Sequence, residues 1–240
     1  MGKRPIKILL TTNYVGYKVA DKKRWQKTAL NVMAKNSPSN VMLAFFNYED
    51  ETTNIINNND TSGAFRVFKM LKRNSRKIIN NDRDMPYIKE IFNNCSKLPC
   101  DIFGYVNSDI LINKDFFKVF KNNIDTYIFS RTDINEVSEQ DFLKGKIEVS
   151  ENSYSKGLHD GVDGVFFRKK WWLENRDKFH DDLVLGEPYW DWYYRKAIKN
   201  NSKRNIEKHN LYHVHHVTKW TFDSNGAKNN TRIWEEYDYR

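Results

Sequence analysis

The chain is poor in several features that would announce a function class. No run of 18 consecutive apolar residues occurs in its 240 residues, so no stretch has the pattern of a membrane-spanning helix. The first apolar run is interrupted by Lys7, which denies the N-terminus the charged-then-apolar form of a secretory leader. We expect a soluble protein that stays in the cytoplasm. Cysteine is limited to Cys95 and Cys100, too few for a disulfide framework and a poor zinc half-site without a second pair. Glycine, with 10 residues, forms no Gly-x-Gly-x-x-Gly or Walker pattern after the first strand, which excludes the usual dinucleotide fold and the P-loop enzymes.

Positive charge and asparagine are plentiful. The formal net charge is +9, from 40 Lys and Arg against 31 Asp and Glu, which suits an anionic partner such as nucleotide phosphate, nucleic acid or a membrane surface. The 28 asparagines beside abundant Lys and Ile are also what an AT-rich coding sequence produces. Basic residues are spread among acidic ones, so a nucleic-acid reading is permitted and not demanded.

Strands and helices alternate along the chain. Ile6 to Thr12 has the composition of a buried strand and runs into a polar loop, where Thr11 and Asn13 are candidate nucleotide contacts. Asp21 can cap a helix with Trp25, Ala29, Val32 and Met33 on its inner stripe, and Val41 to Tyr48 follows as a second strand. The spacing predicts a short helix through Phe65, Phe68 and Leu71, a clearer one with Ile88, Ile91, Phe92 and Cys95, and another through Phe116, Phe117 and Phe120. Thr126 to Ser130 reads as a strand ending at Arg131, Thr132 to Leu158 as a long polar loop, and Gly161 to Phe167 as a strand. The pattern is that of an α/β domain.

Three stretches carry chemistry. Phe103 to Ile112 is an apolar, β-prone run interrupted by Asn107, Ser108 and Asp109, the form of a buried strand that delivers a carboxylate at its tip. Ligands of open α/β sheets bind there, although an Asp in that place also caps turns. Glu187 and Asp191, four apart, are expected to project together near a helix start opened by Pro188; acids there also simply favour the helix dipole. His213, His215 and His216 crowd one segment. In an extended strand the first two share a face and the third points away, and an ion such as Mn2+ accepts imidazole beside carboxylate.

Tyr105-Val106-Asn107-Ser108-Asp109-Ile110 resembles the Asp-x-Asp motif of GT-A glycosyltransferases, in the Asn-x-Asp variant of small bacterial and viral members. Gly161 to Phe167, Gly186 to Trp192 and His213 to His216 resemble later landmarks of that group, in the same order. The resemblance covers Ile6 to Trp220. It implies a Rossmann-like, mostly parallel sheet flanked by helices with a C-terminal acceptor-side extension. It also implies a single domain, with about 1–130 binding the nucleotide sugar and about 131–240 the acceptor. The implied activity is transfer of a sugar from a nucleotide-diphosphate donor, most naturally a UDP-sugar, to a glycan hydroxyl.

With Asn107 in place of the first acid, that position touches ribose or binds metal weakly. Asp109 is then left as the carboxylate ligand, with His215 or His216 completing a Mn2+ or Mg2+ site. Arg131 and Lys219 are placed toward phosphate, Asp163 toward sugar hydroxyls, and Asp191 or Glu187 as the base. Trp171 and Trp192 offer faces for sugar rings, while Trp190 falls on the core stripe. A sugar-nucleotide nucleotidyltransferase and a basic nucleic-acid-binding module are the alternatives. The first lacks a Gly-rich basic loop, and the second predicts binding that falls steeply with salt.

Overall fold

The structure is a computed structural model, and it describes residues 4–13, 20–49, 63–151, 158–216 and 222–238. In chain order the elements are β1 (Ile8–Thr12), α1 (Ala20–Asn36), β2 (Val41–Tyr48), β3 (Phe65–Leu71), α2 (Ser75–Ile79), α3 (Ile88–Cys95), β4 (Ile102–Val106) and β5 (Ile110–Ile112). They continue with β6 (Thr126–Ile134), α4 (Glu139–Leu143), β7 (Leu158–Arg168), α5 (Lys169–Asn175), α6 (Trp190–Asn201), β8 (Asn205–Val214) and α7 (Asn225–Asp238). The strands join in one sheet of order β3-β2-β1-β4-β7-β6-β8-β5.

β3, β2, β1 and β4 run parallel, and every residue of β1 and β4 is buried, as strands covered on both faces require. β7 then pairs antiparallel with both β4 and β6, and β8 lies parallel to β6. The sheet is therefore mixed α/β, with its change of direction at β7. Gly104 makes the β4–β7 contact possible, because a Cβ there would meet the Phe166 ring at 2.2 Å and the Val165 carbonyl at 2.3 Å. Alternate residues feed two cores, Phe103 and Phe167 with α3, α5 and α6 on one face, Phe129 and Phe166 with Phe116 and Phe120 on the other.

Four expectations are corrected. Phe65 to Leu71 is a strand, not a helix: β2 offers an open edge, and Phe65 and Phe68 stack on Phe45 and Phe46 at 4.5 and 5.6 Å. The stretch around Phe116 forms only a 3-10 turn, Phe116–Val119. The long polar loop contains the end of β6, the short α4 capped by the Ser138 hydroxyl, and a bridge from Ile134 to Val149. Asp21 sits inside the first turn of α1 instead of capping it, and Gln26 and Leu30 join its buried face. No described helix is long and apolar enough to cross a membrane.

Candidate active site

The site forms where the sheet changes direction, beside the ends of β4, β6 and β8 and the start of β7. β4 ends at Val106, and a tight turn closed by the Ile110 N–H on the Asn107 carbonyl (3.2 Å) carries Asp109. The turn is tied to α1 by Gln26, whose amide donates to the buried Ser108 hydroxyl at 2.6 Å. Asn107 is bound to β7 twice, backbone N–H to the Asp163 carbonyl (3.1 Å) and side-chain amide to the Asp163 carboxylate (2.9 Å).

A register shift between Ser130 and Arg131 sets Asp133 opposite His213 across the β6–β8 pair. Asp133, 4% exposed, accepts from His213 Nδ1 at 3.1 Å and from Arg131 Nε at 3.0 Å, and Arg131 reaches on to Asp163 at 2.9 Å. An imidazole, a carboxylate, a guanidinium and a second carboxylate are thus linked in sequence. Burial pushes the Asp133 carboxyl up, but His213 and Arg131 outweigh it and hold it well below the usual range.

The far side of His213 faces the turn. Its Nε2 lies 3.6 Å from Asp109 Oδ2, and the His216 ring closes on His213 with centroids 4.7 Å apart. One ligand atom each from Asp109, His213 and His216 lie within 4.8 Å of one another. Ligands on a single ion with bonds of about 2.0–2.2 Å sit about 3–3.6 Å apart in tetrahedral or cis positions, so the three side chains would close further around an ion. Both rings are pre-set, since Nδ1 of His213 donates to Asp133 and Nδ1 of His216 to the Val214 carbonyl at 3.1 Å. Nε2 is the remaining nitrogen of each ring, that of His213 facing Asp109, and a cation would take these two nitrogens as metal-binding histidines offer them. The three side chains with Lys22, Trp25 and Val214 line a cavity of about 10 Å³, room for one water or one ion.

Burial raises the Asp109 carboxyl, yet the hydrogen bond and charge of His213, with Arg131 behind, bring it down to about 2, so it is ionised at any working pH. His213 is lowered by burial and raised more strongly by Asp109 and Asp133. His216 is lowered by burial and by His213, which keeps it a neutral donor. The donor set of one anionic oxygen and two imidazoles suits a borderline divalent ion such as Mn2+.

A further acid beside the site is Asp191, on the first turn of α6. Its Oδ2 accepts the Val162 N–H at 3.2 Å. Burial, with Asp163 adding repulsion, lifts its pKa from 3.8 to about 6 against the pull of that N–H. Asp163 itself has one oxygen bound by Arg131 and Asn107, while its Oδ2 is buried with no hydrogen-bond partner.

Several predicted site residues have partners other than those expected. His213, not His215, joins Asp109 and His216: β8 ends at Val214, so the alternation of faces stops before His215, whose ring turns toward Asp133 at 3.7 Å. Glu187 does not share a helical face with Asp191, because α6 starts at Trp190 after Tyr189 in a left-handed conformation. Its carboxylate, 3% exposed, instead takes Asn81 (3.1 Å), Arg83 (2.9 Å) and Ser224 (3.0 Å). Thr11 is buried and donates to the Ala44 carbonyl, and Asn13 accepts from the Tyr105 hydroxyl. The Arg131 guanidinium is engaged by two carboxylates instead of standing open to phosphate. Trp171 and Trp190 are core residues, Trp192 is exposed, and Lys219 falls outside the described residues. Asp133 was missed, although Arg131 and Asp133, two apart in a strand, share a face beside the histidine segment.

No protein-family model and no curated protein sequence matches the chain. Solved structures do. The S. aureus TarS 1–349 structure aligns with a TM-score of 0.52 and 14% identity over 87% of this chain. The chain shares the TarS fold. The structure of TarS 1–349 in complex with UDP-GlcNAc aligns equally well, at 0.52 with 13% identity over 89% of the chain. The longer TarS structure aligns at 0.51 with 16% identity. The chain spans 60% of TarS 1–349 and 37% of the longer form. The apo-form glycosyltransferase GlyE of Streptococcus pneumoniae also matches, at a TM-score of 0.44 and 10% identity that is too low to argue from.

Proposed function

We propose that this chain is a glycosyltransferase that moves a sugar from a nucleotide-diphosphate donor, a UDP-sugar, to a hydroxyl of a glycan with the help of a divalent cation. The observation that carries the reading is the Asp109, His213 and His216 cluster beside the end of parallel strand β4, in a fold shared with TarS, one structure of which contains UDP-GlcNAc.

In the reaction the acceptor oxygen bonds to the anomeric carbon, the bond from that carbon to phosphate oxygen breaks, and UDP leaves with the electron pair. A divalent ion, Mn2+ or Mg2+, when bound by Asp109, His213 and His216 would neutralise charge on the departing diphosphate. Asp191 takes the acceptor proton. A carboxyl held at about 6 is mostly ionised at neutral pH yet more basic than an exposed acid, the compromise general-base catalysis favours. Asp163 keeps Oδ2 buried and unpaired, an acceptor for a donor-sugar hydroxyl that excludes water. Asn107, at the strand tip beside it, is the residue assigned to ribose.

The test is thermal shift and donor hydrolysis with UDP, GDP, dTDP and CMP conjugates, with and without Mn2+. UDP conjugates with Mn2+ are expected to stabilise the protein, and Asp109→Ala to abolish both the shift and hydrolysis while the far-UV spectrum is unchanged. A substantially active Asp109→Ala variant would show that the cluster does not hold the cation.

A further inference from the structure

Trp192 is left without a role by the reaction above, and its surroundings are unusual. Six large hydrophobic side chains stay exposed among the described residues, and the only two aromatics, Trp192 at 50% and Phe222 at 53%, both pack against Tyr189. Tyr189 lies parallel to Trp234 within 3° at 6.2 Å, and Trp192 stands edge-on to Trp234 at 6.2 Å. Tyr189 holds a left-handed backbone (φ 69°) that a bulky side chain rarely adopts. That conformation turns its ring onto Trp234 just before α6 starts.

From these rings a groove of about 390 Å³ runs between α6 and α7, lined by Trp192, Arg195, Lys196, Lys199, Asn200 and Trp234. Lys196 sits over the Trp234 ring at 5.7 Å and pairs with Asp238; Arg195 and Lys199 share Glu207. The lining carries three basic side chains and no carboxylate, so the groove presents positive charge. An apolar partner protein would not call for that cation density, and a bare phosphate would not call for exposed indole faces. A pyranose with an acidic substituent uses both, its C–H face on the indole and its acid on the lysines.

We infer that the groove between α6 and α7 is an acceptor-side subsite for an anionic saccharide. The inference rests on the glycosyltransferase reading only for the word acceptor. Trp192, in the lining of the groove, lies on the same first turn of α6 as Asp191.

Calorimetry with hyaluronan hexasaccharide as the carboxylated probe and chitohexaose as the neutral one tests it, alongside UDP with Mn2+ on the same preparation. The carboxylated probe is expected to bind more tightly than the neutral one and to weaken as salt rises. Trp192→Ala is expected to weaken it by about tenfold, the worth of one lost aromatic face, and Lys199→Gln by a smaller, salt-dependent factor. Failure of both hexasaccharides while UDP binds would overturn the subsite and leave the donor reading intact. Saccharide binding without UDP binding would support a saccharide-binding groove and remove the donor reading. Equal binding by Trp192→Ala, or a concentration-dependent dimer that this variant abolishes, would also overturn the subsite.

Discussion

Asp191→Asn is expected to make the protein more stable and less active, and the size of the first effect follows from the structure. Burial and the neighbouring Asp163 hold the Asp191 carboxyl at about 6 against an ordinary value of 3.8. The folded protein therefore keeps a proton that the unfolded chain releases. The resulting cost is absent below pH 3.8, grows as pH rises, and is complete above about 6. The gap corresponds to about 3 kcal/mol at about 1.36 kcal/mol for each pH unit. Asparagine keeps an acceptor for the Val162 N–H, so the net gain at pH 8 is about 2–3 kcal/mol, or roughly 5–10 °C in Tm for a chain of this length. Melts of both proteins from pH 4 to pH 8 read it directly. The difference should be small at pH 4 and reach its plateau above pH 7, while UDP-sugar hydrolysis falls by about 10²–10⁴. A difference that does not change with pH, or a variant less stable at pH 8, would refute the argument that Asp191 is held ionised against its surroundings.

Asp133→Asn leaves His213 in place but weakens the acceptor that orients it, so Mn2+ affinity should drop about 10- to 100-fold in a calorimetric titration; an unchanged affinity would remove Asp133 from the site. Glu187→Ala strips Asn81, Arg83 and Ser224 of their common acceptor and is expected to cost about 2–4 kcal/mol. Amide exchange along Asn225–Asp238 should rise with it, and unaltered exchange there would show that Glu187 does not fasten the last helix.

The parts of the fold legible in the sequence are those whose burial leaves a compositional trace. β1, β2 and β4 are near-continuous apolar runs because both faces are covered, and α3 carries Ile88, Ile91, Phe92 and Cys95 at helical spacing. α7 left no such trace. Its buried face is Gly226, Ala227, Asn230 and Ile233, and Asn230 docks by hydrogen bonds to Val184 and Pro188 instead of by apolar area. Phe65, Phe68 and Leu71 fit a helical period, yet an open strand edge and two facing phenylalanines decided for a strand. Asp109 and Asp191 were readable as carboxylates at element ends. The choice among three histidines was not, because it turned on β8 stopping at Val214 and on a one-residue shift at Asn210 of β8 in its pairing with β6 that no local pattern encodes.

The central claim is that Asp109, His213 and His216 seat a cation against a nucleotide diphosphate. Pulsed EPR of Mn2+ added to the protein with UDP addresses it in one experiment. The account predicts nitrogen couplings from two imidazoles together with phosphorus coupling from the diphosphate, both lost in Asp109→Ala. A Mn2+ signal with phosphorus coupling alone, as from free Mn2+–UDP, would contradict it.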